Sequence, residues 1–450
     1  MPRVTMWGSA IAQLLLLLCG LCGTASAQNG NYFRNQVGGV SIDTNGLLKN
    51  AEVKDVHALR AEMLRELAAV PDDLNRFSEL RKVSLRKLQE AIGKSLATGK
   101  PLPDDVKYLA GLQQIRYIFV YPDQRDVVLV GPAEGWQVND DGFVVGRTTG
   151  RPVILLDDLL VAIRTATAAA RQGISCSIDP TKDGLARLQG LVRRLSTIGD
   201  PARTIHNLEV ALGRQTITVT GVPDTSNFGR VLVAADFQMK RLAMGFDKAP
   251  VPDLPSFLQM TSASGRGLQN MLPRWWLAPN YQKLARDEEG LSWEIRGAAV
   301  KCMTESDFLN ADGTRKQGVS SDKTAQRWAD QFTAKYEAIS AKNVIFAQLR
   351  NLMDLSIVGA LLIKEHLIEK AELDVGLLMN SRELLIGNFV APKGVDSSAT
   401  FLRKGRNWII SLSGGVQLNS WQVADQNEVT SALVPLREKM ATTVDSWWWD

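Results

Sequence analysis

Ile115-Arg-Tyr-Ile-Phe-Val-Tyr121, Val127-Val-Leu-Val130, Trp136-Gln-Val138 and Phe143-Val-Val145 follow one another closely, separated by Asp123, Gly131-Pro132 and Asn139-Asp-Asp-Gly142. Short β-branched and aromatic runs between turn residues predict hairpins and an antiparallel sheet. The pattern then becomes helical over Leu156–Arg171 and Gly184–Ile198, with Asp179-Pro-Thr181 as the turn and cap between them. A short helix, Ala202–Leu212, leads into a strand at Gln215–Val222. Hairpins followed by packed helices and one return strand are the signature of an α+β fold, not of a doubly wound parallel sheet.

Upstream, Val37-Gly-Gly-Val-Ser-Ile-Asp43 alternates small and apolar residues and ends at Asn45-Gly46, a strand and turn. Val53, Val56, Leu59, Met63, Leu67 and Val70 recur at helical spacing before Pro71, and a second helix over 74–96 is expected to complete an N-terminal helical hairpin. Its Arg76, Arg81, Lys82, Arg86, Lys87 and Lys94, balanced by Glu79 and Glu90, read as a solvated face. Downstream, Val231, Leu232, Ala235, Met239, Leu242 and Phe246 form one side of a helix over 228–246, on which Asp236 and Lys240 are neighbours able to pair. A strand is expected over 293–303, long helices over 322–342 and 344–373, strands over 384–390 and 407–418, and a helix over 428–443. The length suits two to three domains. The expected divisions are a leader at 1–27, a strand and helical hairpin at 28–100, an α+β core at 101–309, a linker at 310–321, and a helical pair with closing strands and helix at 322–450.

The first residues read as a secretory signal peptide: Arg3, an apolar stretch from Ile11 to Leu21, and Ala25-Ser26-Ala27 as the cleavage site. Gln13, Gly20, Gly23 and Thr24 leave too few apolar residues for a membrane span. Cys19 and Cys22 raise a lipoprotein site as the rival, without the small preceding residue that such processing favours. Loss of Arg3 brings the formal charge of +4 to about +3, with both signs interleaved, so no nucleic-acid partner is expected. Cys176 and Cys302 remain, and an oxidising compartment permits them to pair or leaves them as buried thiols.

Motifs that carry chemistry are sparse. The chain's histidines are His57, His206 and His366, and only His366 and Glu369 stand one helical turn apart, so no metal is expected. Ser84-Leu-Arg-Lys87 and Ser320-Ser-Asp-Lys323 match S-x-x-K without companion motifs. G-x-S-x-G, the P-loop and G-x-G-x-x-G are absent, which argues against a serine hydrolase, a nucleotide and a cofactor. Two carboxylates held about 5 to 10 Å apart suffice for glycoside hydrolysis. Asp157-Asp158 and Glu288-Glu289 are the adjacent acids, with Trp275, Trp276 and Trp293 as a sugar-stacking surface; helix caps, turns and an aromatic core account for the same residues. The candidate binding positions are Trp136, Asp157 and Asp158, and Arg274, Trp275 and Trp276. Trp447, Trp448 and Trp449 cannot all face one core, which admits a partner or membrane-interface contact.

Several strings together resemble the secreted planctomycete proteins grouped as domain of unknown function 1598. They are Val37–Asp43, Gly131-Pro-Ala-Glu-Gly-Trp136, Gly150-Arg-Pro-Val with Leu156-Asp-Asp-Leu159, Cys176-Ser-Ile-Asp-Pro-Thr181, the run from Ala235 to Gly245, and Arg274-Trp-Trp-Leu277. The resemblance implies an exported envelope protein and transfers no catalytic residue. The expectation is a binding or structural component of a bacterial cell envelope, with a carboxylate-dependent hydrolase of glycans or peptides as the alternative.

Overall fold

Short strands and amphipathic helices alternate along the described chain. The computed structural model describes residues 36–37, 40–194, 200–264, 273–304, 307–309, 315–317, 323–401, 408–410, 413–441 and 449. The leader expected at 1–27 lies outside them. The strands are β1 (Gln36–Val37), β2 (Val40–Ile42), β3 (Leu47–Asn50), β4 (Ser78–Ser84), β5 (Tyr117–Tyr121), β6 (Asp126–Ala133), β7 (Trp136–Val138), β8 (Val144–Gly146), β9 (Ile174–Pro180), β10 (Gln215–Thr220), β11 (Arg274–Tyr281), β12 (Leu284–Arg286), β13 (Ser292–Glu294), β14 (Gly297–Thr304), β15 (Asp307–Leu309), β16 (Arg315–Gln317), β17 (Gly394–Val395), β18 (Ala399–Phe401), β19 (Trp408–Ile410), β20 (Ser413–Leu418) and β21 (Asn427–Val429). The longer helices are α1 (Val53–Glu66), α2 (Leu85–Ala97), α3 (Leu156–Gln172), α4 (Lys182–Arg194), α5 (Pro201–Leu212), α6 (Asn227–Met244), α7 (Phe257–Ser264), α8 (Lys323–Ala334), α9 (Val344–Lys364), α10 (Ser420–Asp425) and α11 (Leu433–Met440).

The fold is α+β, built on two main sheets. The larger has the order β1-β2-β3-β17-β10-β9-β20-β11-β14 and the smaller β21-β12-β13-β5-β6-β4. Most neighbours are antiparallel; β3 with β17, β11 with β20, and β12 with β21 are parallel. The strand β20 threads between β9 and β11 because Gly414 and Gly415 lack side chains. A Cβ at Gly414 would lie 1.7 Å from the Trp275 carbonyl oxygen, and one at Gly415 1.8 Å from that of Cys176.

Helix α6 packs on β9 and β20, and α9 packs against α3, α6 and α10. Helix α9 is long and apolar enough to cross a membrane by length and composition, but it lies inside the protein, with 83% of its most apolar window buried. It approaches α3 closely at Gly359, where a Cβ would meet the Ala162 carbonyl oxygen at 2.5 Å. A chain of aromatic contacts runs from Phe257 through Trp275, Trp328 and Phe332 to Tyr336 and Phe346. Helices α4 and α5 enclose a separate small core of Leu188, Leu208 and Leu212 with Ala399.

Several expectations are corrected. The second helix of the N-terminal hairpin is a strand for its first half: β4 pairs with β6, and the helix begins only at Leu85, where Ser84 Oγ accepts the Lys87 amide hydrogen. Arg81 and Val83 both point inward at period two, and Arg81 leaves the solvated face to donate to the carbonyls of Leu74, Arg76 and Ala110. Residues 384–390 are a loop, since their amides serve side chains and a distant carbonyl instead of a ladder: Gly387 donates to Asp157 and Phe389 to Thr225. Within the expected linker, Arg315–Gln317 pairs with Asp307–Leu309 as a hairpin. Asn35–Asp450 forms one compact unit. The larger sheet takes strands from the segments 28–100, 101–309 and 322–450.

Candidate functional site

Helix α6 carries charge into the core. Ser226 caps its start by accepting the Gly229 amide hydrogen at 3.1 Å, and Gly245 ends it in the left-handed conformation at φ 70°. Between these ends Arg230, Asp236 and Lys240 are buried among apolar neighbours. Lys240 Nζ donates to Asp236 Oδ2 at 2.8 Å and reaches the carbonyls of Ile178 and Gly414 at 3.3 and 3.4 Å. The ammonium therefore straps α6 to β9 and β20. Burial pushes the Asp236 carboxyl up to about 6 against the downward pull of Lys240. Among the described residues, its Oδ1 has no hydrogen-bond partner.

Beyond Lys240, the last turns of α6 form a cleft of about 40 Å³ with β9, β10 and residues 395–398. That is room for about three water molecules or the tip of one apolar side chain. Ile178, Phe237, Met244, Phe246 and Val395 supply the apolar wall. The charges at its edge are answered within the protein. Arg241 holds Asp247 through two hydrogen bonds of 2.7 and 2.8 Å while lying over the rings of Phe237 and Phe246, and Asp396 lies 3.3 Å from Arg214. Phe246 stays 39% exposed at the rim.

The six positions expected from sequence fall in three places. Asp157 and Asp158, at the first turn of α3, face α6 and the 386–390 loop. Asp157 Oδ2 accepts from the Gly387 amide at 2.8 Å, and Asp158 Oδ2 from Asn227 Nδ2 at 2.9 Å. Burial raises both carboxyls, with Gly387 and Arg164 opposing it at Asp157. Asp158 reaches about 7, helped by the Asp157 charge and opposed by Asn227. Neither lines the cleft. Trp136 is buried elsewhere, its ring 5.8 Å from that of Tyr108. Nearby, Glu134 accepts from Thr148, Thr149 and Gln113; these bonds overcome its burial and hold it below the ordinary carboxylate range.

Strand alternation separates the remaining three. Trp275 faces the core, edge-on to Phe257 and Trp328, and its Nε1 donates to the Ala325 carbonyl. Arg274 and Trp276 take the opposite face, where the guanidinium lies 5.0 Å from the Trp276 ring and 3.3 Å from Asp179. Trp293 is buried in the smaller sheet. The expected sugar-stacking surface is therefore not formed.

Cys176 and Cys302 are both free and buried. They lie in one row across the larger sheet, Cys176 opposite Val416, Val416 opposite Leu277 and Leu277 opposite Cys302. Three strand spacings put them about 14 Å apart, well beyond the reach of a disulfide. Instead, Cys302 Sγ lies 3.7 Å from Met239 Sδ. Among the described residues, no three His, Cys, Asp or Glu side chains gather to hold a metal. Trp449 packs on its own chain, its ring 5.9 Å from the Arg81 guanidinium and its backbone bridged to Val83; Trp447 and Trp448 lie outside the described residues.

Residues 176–257 match the model of a family described as a protein of unknown function, DUF1598. The matched segment runs from within β9 through α4, α5, β10 and α6 and ends at the start of α7. It holds Arg230, the buried Asp236 and Lys240 pair, and every cleft residue except Val395, Asp396 and Ser398. The resembling strings at 37–43, 131–136, 150–159 and 274–277 fall outside it. No curated protein matches the chain, and no solved structure does.

Proposed function

We propose that this protein is an exported, non-catalytic binding component of a bacterial cell envelope, of the planctomycete lineage that the sequence resemblance implies. The observation that carries the reading is the cleft at the end of α6. Its wall is apolar, its rim offers the exposed Phe246, and its charges are already paired, so it suits the insertion of an apolar group from a partner and not acid–base chemistry. The leader-like N-terminus supports export.

The alternative, a carboxylate-dependent hydrolase, draws on the raised pKa of Asp158, which suits a general acid. Against it, Asp158 is buried beside Asn227 and does not line the cleft. Incubation with a panel of glycans and peptides is expected to give no turnover. Reproducible turnover abolished by Asp157→Asn or Asp158→Asn would replace the binding reading with the hydrolase.

A further inference from the structure

We propose that Arg230 is the binding group for a small oxyanion, held between the first turns of α6 and the loop that carries Phe389. Arg230 is 1% exposed, yet among the described residues its Nε and Nη2 have no hydrogen-bond partner. These two nitrogens share one edge of the guanidinium, so the unmatched donors form the fork that grips a carboxylate or phosphate in a bidentate manner. Phe389 covers the guanidinium at 4.5 Å. The ring offsets part of the cost of burial but accepts no hydrogen bond.

The position is unfavourable for a cation in every other respect. Among the described residues, no acidic side chain pairs with it, and burial lowers its pKa to about 9. It stands one turn into α6, where the helix dipole repels positive charge and favours negative charge. The buried lysine further along the same helix has its acid at 2.8 Å. An oxyanion on the fork would remove all three penalties together, and the first turn of α6 would add its own attraction for it. The site is separate from the apolar cleft and does not depend on the binding reading above.

The test is calorimetric titration of the full chain with inorganic phosphate, sulfate and acetate at constant ionic strength, for the wild type, Arg230→Lys and Arg230→Met. Saturable binding of at least one anion to the wild type is expected, weakened tenfold or more in Arg230→Met and partly retained in Arg230→Lys. The three arms separate a carboxylate site from a phosphate or sulfate site. Thermal unfolding in anion-free buffer guards against a folding defect: Arg230→Met is expected to melt at or above the wild-type temperature, because it removes an uncompensated buried charge. Equal anion binding by Arg230→Met, or no response of the wild type to any of the three, would overturn the proposal.

Discussion

Lys240→Ala is expected to destabilise the protein by about 3 to 5 kcal/mol, the usual cost of leaving a buried charge without its partner. Asp236 is fully buried, and Lys240 Nζ is its hydrogen-bond partner. Truncation also releases the carbonyls of Ile178 and Gly414, loosening α6 from β9 and β20. The double variant Asp236→Leu with Lys240→Met removes both charges and keeps the branched and linear shapes of the side chains, and it is expected to recover most of the loss. Denaturant midpoints for the two variants decide the matter. If the double variant is no more stable than Lys240→Ala, the charge argument fails.

The second large effect is a dependence on pH. Burial holds the Asp158 proton to about 7 in the folded state, whereas the unfolded chain releases it near 4. Between those values the folded protein binds more protons than the unfolded one, so stability falls as pH rises. The span corresponds to roughly 4 kcal/mol, fully lost by pH 8. Asp158→Asn keeps the shape and the hydrogen bond to Asn227 while removing the titration. Its advantage over the wild type is expected to grow from near zero at pH 4 to that size at pH 8, measured by urea unfolding. Asp236 and Asp354, both pushed up to about 6 by burial, tilt both proteins in the same direction and cancel in the comparison. Parallel curves for the two proteins would contradict the assignment.

Elements with strong periodicity or flanking signals were legible in the chain. Helices α3 and α6, the hairpins around β5 to β8 and the long α9 all lie where their patterns place them. The failures came from tertiary context. Residues 78–84 carry the charge of a helical surface, yet pairing with β6 makes them a strand and draws Arg81 inward. Strand β9 was not foreseen between the helices; it ends where the sequence suggested a turn, with Pro180 at its last position, where a proline breaks no ladder.

The site was less legible than the fold. Asp236 and Lys240 were recognisable as helix neighbours, but not as buried ones, since no periodicity reveals that both flanks of α6 are covered. Arg230 gave no signal at all. A single arginine in a helix is ordinarily a surface residue, and the ring of Phe389, far along the chain, lies over it. The paired acids and tryptophans drew attention by their adjacency. In a strand, however, adjacency sends Trp275 and Trp276 to opposite faces.

The central claim is that the cleft at the end of α6 receives a partner's apolar group. Co-sedimentation of the purified protein with an isolated cell-envelope fraction tests it most directly, comparing the wild type with Phe246→Ser at a temperature well below the melting of both proteins. The wild type is expected to sediment saturably with the envelope and the variant to bind about tenfold more weakly. Equal sedimentation of the two proteins, or no association of either, would contradict the claim.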